Sequence, residues 1–133
     1  MYNAHDVFAD LLALSGPSDI KIITYSITEF PLRILSQFKA KKIITNLDLI
    51  LDFTVSRTPA LKQFAEHIAN RVKFTDTHSK IVLISNENWK ITFISSANFT
   101  RNNRYENGVI YTSDLIHKEY SQFFEKVFEN AVN

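Results

Sequence analysis

Residues 81–84 read Ile-Val-Leu-Ile, apolar at odd and even positions alike. Successive side chains of a β-strand point to opposite faces, so a strand of this kind must be covered on both sides. A second run, Ile91-Thr92-Phe93-Ile94, follows after Ser85-Asn86-Glu87-Asn88-Trp89, a stretch of turn composition. If the two strands are neighbours, the hairpin sets the start of the first beside the end of the second. Helices on both faces of a sheet meet the demand for cover. The reading is an α/β domain: a mixed, mostly parallel β-sheet flanked by helices on both faces.

The rest of the chain fits that frame. Val7, Phe8, Leu11, Leu12 and Leu14 recur at helical spacing, and Ser15-Gly16-Pro17-Ser18 punctuates the end of that helix. Residues 19–27 are rich in β-branched and aromatic side chains and read as a strand. Thr28 is a candidate cap for a helix through Lys39, with Pro31 near its first turn. Residues 41–53 form a long apolar run, at least its first part a strand, with a break expected at Asn46 or Asp48. Thr58-Pro59 opens another helix. Short strands are expected at 72–76 and 108–113, and Ser113 or Asp114 caps a last helix. Its residues Tyr120, Phe123, Phe124, Val127 and Phe128 share one face.

At 133 residues the chain is read as one domain, 1–133, with no internal repeat. It contains no cysteine, which excludes disulfides, thiolate metal sites and a cysteine nucleophile. The formal net charge of +1 is too small to imply a polyanionic partner and leaves room for a local basic patch. The first residues lack the basic region of a secretory signal, and no apolar stretch approaches the ~20 residues of a membrane span. A cytoplasmic protein without stable membrane association is expected.

Polar residues crowd the ends of the two apolar runs. His78 and Lys80 precede the first, and Ser96 and Asn98 follow the second. Residues i and i+2 of a strand share a face, so each pair should project together, and the hairpin would bring the four to one place. An imidazole acts as nucleophile or proton donor at neutral pH. An ammonium and an amide offset charge that develops on the non-bridging oxygens of a phosphodiester. The combination suits phosphodiester chemistry, with no cofactor and no metal.

Together these residues resemble the signature of the phospholipase D superfamily, His-x-Lys, four residues, Asp, then Gly-Ser-x-Asn. His78, Lys80, Ser96 and Asn98 match it, and Glu106 fits the acidic residue that usually follows. Two positions depart: Ser85, beside Asn86, stands for the family's aspartate, generally a structural support, and Ser95 stands for its glycine. The resemblance implies one half-unit of that fold over nearly the whole chain. It also implies a homodimer, because family members usually bring two copies of the motif to one site. One His78 would attack phosphorus while its twin protonates the leaving oxygen, and Glu106 would orient a histidine.

Small single-motif relatives are nucleases, which makes nucleic acid the expected substrate. Lys90, Arg101 and Arg104 are candidates to hold its backbone. The competing functions are a dimer of the same fold that binds nucleic acid without turnover, and, below both, a lipid phosphodiesterase. Ser96 and Asn98 have a rival reading as turn caps, and Glu106 as a solvated carboxylate. His5, His67 and His117 read as surface or helix-end residues. Trp89 reads as part of a dimer contact.

Overall fold

The computed structural model describes residues 3–100 and 106–131. Helix α1 spans Ala4–Ser15 and buries Phe8, Leu11 and Leu12. It ends where Gly16, at φ 76°, turns the backbone into the left-handed region and returns its N–H to the Leu12 carbonyl. Strand β1 (Ser18–Thr24) follows, then α2 (Glu29–Ala40) and β2 (Ile44–Asp52). A short α3 (Phe53–Ser56) and α4 (Pro59–Ile68) lead to β3 (Arg71–Thr75). Strands β4 (Ile81–Ser85), β5 (Lys90–Ser95) and β6 (Gly108–Tyr111) precede α5 (Asp114–Asn130).

The six strands form one sheet in the order β3-β2-β1-β4-β5-β6. It is mixed, as expected, but the pairing is not mostly parallel. Only β1 with β2 and β2 with β3 run parallel, while β1–β4, β4–β5 and β5–β6 are antiparallel. The reason is link length. The first three strands are joined through helices, which a parallel crossover requires, whereas the turn between Ser85 and Lys90 permits only a hairpin.

Both faces are covered. On one, Phe8, Leu32 and Ala65 from α1, α2 and α4 pack on Ile22, Leu49, Val82 and Phe93. On the other, Phe124 of α5 packs on Ile23, Ile50 and Leu83. Each fully buried Phe contributes about 1.5–3 kcal/mol from burial alone. Arg71 ties α5 to the sheet, bonding both carboxylate oxygens of Glu125 (3.1 and 2.7 Å) and the buried Asp48 at 2.8 Å. Those two carboxylates push its pKa up against the opposing effect of burial.

Several local expectations are corrected. The break expected in β2 is a bulge: Ile44 lies opposite Ser18 and Asn46 opposite Asp19, which leaves Thr45 unmatched while the strand continues to Asp52. Thr28 and Thr58 occupy N-cap positions without side-chain capping bonds, whereas Ser113 accepts from the Ile116 amide. His5 and His117 are buried, not at the surface; His5 lies edge-on against Phe30 of α2. Burial, then the charges of Lys90 and Lys21, hold the His117 imidazolium pKa low. Trp89 packs half-buried against the core of its own chain.

Strand β6 stands apart. All four of its residues are exposed, and it borders the sheet with no further strand beside it among the described residues.

Candidate active site at the rim of the sheet

The parallel strands β1, β2 and β3 end at the same rim, and β4 begins there. The link 76–80 therefore leaves β3, crosses the ends of β2 and β1, and enters β4 beside β1. Three inter-strand steps amount to roughly 14 Å. The six peptide units from Thr75 to Ile81 reach at most about 20 Å, so the link crosses the rim without room for a long excursion.

Thr77, His78 and Lys80 tie the link to the strand ends it passes. Asp52, the last residue of β2, accepts from the Thr77 amide at 3.0 Å through one carboxylate oxygen and from the Thr54 amide at 3.0 Å through the other. Burial works to raise the Asp52 pKa. The amides of Thr54 and Thr77, the Thr54 hydroxyl and the nearby His78 outweigh it and hold the carboxyl below its ordinary value. The Thr77 hydroxyl accepts from the Ser79 amide at 3.1 Å. Next to it, the exposed His78 ring lies on the ring of Tyr25, one residue beyond β1, with centroids 4.5 Å apart and planes 12° from parallel.

Lys80 donates its ammonium to the His78 carbonyl at 2.9 Å, and its own carbonyl accepts from the Ser95 amide at 3.0 Å. The expected shared projection of His78 and Lys80 from one strand is therefore corrected. Strand β4 starts only at Ile81, and the link turns the imidazole onto Tyr25 while Lys80 borders a small void with Thr24, Ser95 and Ala97.

Asn98 reaches the same rim from beyond β5. Its Oδ1 accepts from the Ser26 amide at 3.0 Å and from the Thr24 hydroxyl at 3.3 Å. With the oxygen so occupied, the amino end is the one turned to any further partner. Ser96 accepts from the Asn107 amide at 2.9 Å and donates to Glu106. Within the chain Glu106 engages Ser96, because the pairing of Ser95 with Gly108 between β5 and β6 sets residues 106 and 107 alongside it.

His78, Lys80, Ser96, Asn98 and Glu106 thus come to one end of the sheet. Lys90 does not. It starts β5 opposite Ser85, a strand length of roughly 16 Å from that rim, and its ammonium is bonded to the Asn86 carbonyl. Proximity to the site in the sequence is misleading across a hairpin. Arg101 and Arg104 lie outside the described residues.

The two departures from the family signature have local explanations. Ser85 sits at the end of β4 away from His78, so a carboxylate there would not reach the site. Beside it, Asn86 donates to the Ser15 and Pro17 carbonyls (2.9 and 3.1 Å) and accepts from the Asn88 and Trp89 amides (both 2.9 Å). That amide anchors the hairpin turn to the end of α1. Ser95 does not need glycine's freedom: Lys42 is the one non-glycine residue with positive φ among those described. The Ser95 hydroxyl instead accepts from the Ala97 amide at 2.8 Å and shapes the turn. Tyr25 and Asp52 escaped sequence reasoning, since neither belongs to the motif and only strand order brings them to His78.

The family model described as "Cardiolipin synthase, PLD-like domain" matches residues 6–128. The chain belongs to this phospholipase D-like family. No curated protein gives a significant match in sequence. Among solved structures, the phospholipase D-like chain is similar to NucT from Helicobacter pylori, at 19% identity and TM-score 0.75, covering 96% of this chain and 91% of that one. It is also similar to polyphosphate kinase from Porphyromonas gingivalis, at 17% identity and TM-score 0.66. There 98% of this chain corresponds to 25% of the larger protein. A third likeness is to the archaeal chromatin protein TrmBL2, at 12% identity and TM-score 0.62, over 96% of this chain and 49% of the other. At these identities the likenesses establish the fold. The alignment with NucT runs nearly end to end, so this unit is most of that protein and a quarter to a half of the other two. Among the described residues, no helix is long and apolar enough to cross a membrane.

Proposed function

We propose that the chain is a metal-independent phosphodiesterase acting on nucleic acid, with two copies of the chain forming one active site. The observation that carries this reading is the gathering of His78, Lys80 and Asn98 at one rim, the imidazole exposed and unengaged at its ring nitrogens among the described residues. A ring nitrogen of one His78 attacks phosphorus. The bond to the leaving oxygen breaks as that oxygen takes a proton from the second copy's imidazole. A phosphohistidine results. The second imidazole then removes a proton from water, whose oxygen attacks phosphorus and breaks the P–N bond, returning both rings to their starting states.

Lys80 and the amino group of Asn98 offset the charge on the non-bridging oxygens as it builds. Ser96 and Glu106 hold the turn that carries Asn98. Arg101 and Arg104 fall between Asn98 and Glu106 in the chain, which suits them to the flanking phosphates, and Lys90 is set aside by its distance.

The test incubates purified protein in EDTA with single- and double-stranded DNA, with RNA and with phospholipid vesicles. Cleavage of a nucleic acid that disappears in His78→Ala supports the reading. Binding without cleavage, unchanged in His78→Ala, replaces it with a nucleic-acid-binding dimer, and turnover of lipid alone replaces the substrate. Light scattering that shows a monomer at micromolar concentration removes the two-histidine step.

A further inference from the structure

We infer that Tyr25 is the positioning residue for His78, a clamp that sets the plane of the imidazole. The role it serves rests on the phosphodiesterase reading. Two separate sets of contacts fix the two partners. The backbone on either side of His78 is held by Asp52 through the Thr77 amide and by Lys80 through the His78 carbonyl. Neither bond controls rotation about the histidine's own side-chain torsions. On an exposed link, an imidazole restrained only through its backbone would sample several rotamers.

The Tyr25 ring supplies the missing restraint. It lies at 4.5 Å and 12° from the imidazole, face against face. Stacking covers one face of the imidazole and leaves its edge, where both nitrogens lie, open to the rim. The chain on either side of Tyr25 is held in turn. Asn98 bonds the hydroxyl of Thr24 and the amide of Ser26, the residues on either side of Tyr25. Asn98 therefore has a second task beyond presenting its amino group, since it sets the platform on which the imidazole rests. Nucleophilic attack needs a ring nitrogen aligned with phosphorus, and a misplacement of about 1 Å costs on the order of 100-fold in rate.

The experiment compares wild type with Tyr25→Phe and Tyr25→Leu, with Tyr25→Met as a second non-aromatic variant should the leucine protein fail to fold. The His78 ring protons, identified by their loss in His78→Ala, are followed by NMR alongside steady-state kinetics. Face-on stacking shifts those protons upfield, and the shift is expected in wild type and Tyr25→Phe and absent without the aromatic ring. The rate constant kcat is expected to fall 10- to 100-fold in the non-aromatic variants with KM within twofold, and to recover in Tyr25→Phe. Unchanged His78 signals in the non-aromatic variants overturn the clamp. So does a Tyr25→Phe protein as impaired as the others. A wild type that keeps the upfield shift but cleaves nothing sinks the phosphodiesterase reading and leaves the clamp standing. Cleavage with no aromatic dependence of the shift does the reverse.

Discussion

Asp52, at the end of β2, accepts a hydrogen bond from the amide of Thr77, the residue directly before His78. A buried carboxylate on one strand thus holds the link that carries the imidazole across the rim. Asp52→Asn keeps one acceptor oxygen and sets an amino group against an amide donor. It is expected to cost about 1–3 kcal/mol, read from urea unfolding at pH 7. The folded state holds the Asp52 carboxyl below the ordinary 3.8. The stabilisation is therefore complete above that value and fades as pH falls through the lower folded one. The gap between wild type and Asp52→Asn should narrow on acidification below about pH 4. A gap that stays constant down to pH 2.5 would show that the ionised form is not what matters.

Among the described residues Lys80 makes one side-chain bond, to the His78 carbonyl at the surface. Lys80→Ala should reduce kcat on the order of 100- to 1000-fold if its charge serves the transition state. Its effect on unfolding free energy should stay near 1 kcal/mol or less. A protein that unfolds instead would mark Lys80 as a structural residue.

Asn86 stands where the hairpin turn meets the end of α1, using both ends of its amide. Asn86→Ala is expected to destabilise by about 2 kcal/mol and to leave kcat unaltered, because the site lies at the other end of β4. Ser85→Asp, which restores the family's aspartate, should change kcat by less than twofold. A large gain in rate on that substitution would mean that the far end of β4 communicates with the rim.

Lys42 has φ 61° where α2 ends. Its amide bonds the Lys39 carbonyl and the next amide, that of Ile43, bonds the Phe38 carbonyl, a pairing that glycine usually serves. Lys42→Gly relieves the left-handed strain and should stabilise by about 0.5–1 kcal/mol. Calorimetry checks it, and a lower Tm would overturn the assignment.

The apolar runs and turn residues announced nearly every element, because strands and amphipathic helices are written in local periodicity. The hairpin that unites Lys80 with Ser95 was legible for the same reason. Strand order was not. Whether β4 pairs with β1 or β3 depends on contacts distant in sequence, and so the sheet's balance of parallel and antiparallel pairs was misjudged. The same non-local step hid Tyr25 and Asp52, which lie 53 and 26 residues from His78 in the chain. It also made Lys90 look like a neighbour of the site. His5 and His117 do lie near helix ends, but their burial is not legible, because a polar residue at one helical position reveals little about which way the helix is turned.

Strand β6 offers Val109, Ile110 and Tyr111 to solvent on both faces, and an edge with no strand beside it among the described residues. Backbone groups along such a border will pair with any extended chain that presents itself. Its first residue lies opposite Ser95, so this sticky margin begins at the rim that carries His78. In isolation the margin is a route to precipitation. Occupied by an orderly neighbour, the same three side chains become interior, and solubility would then rise with assembly.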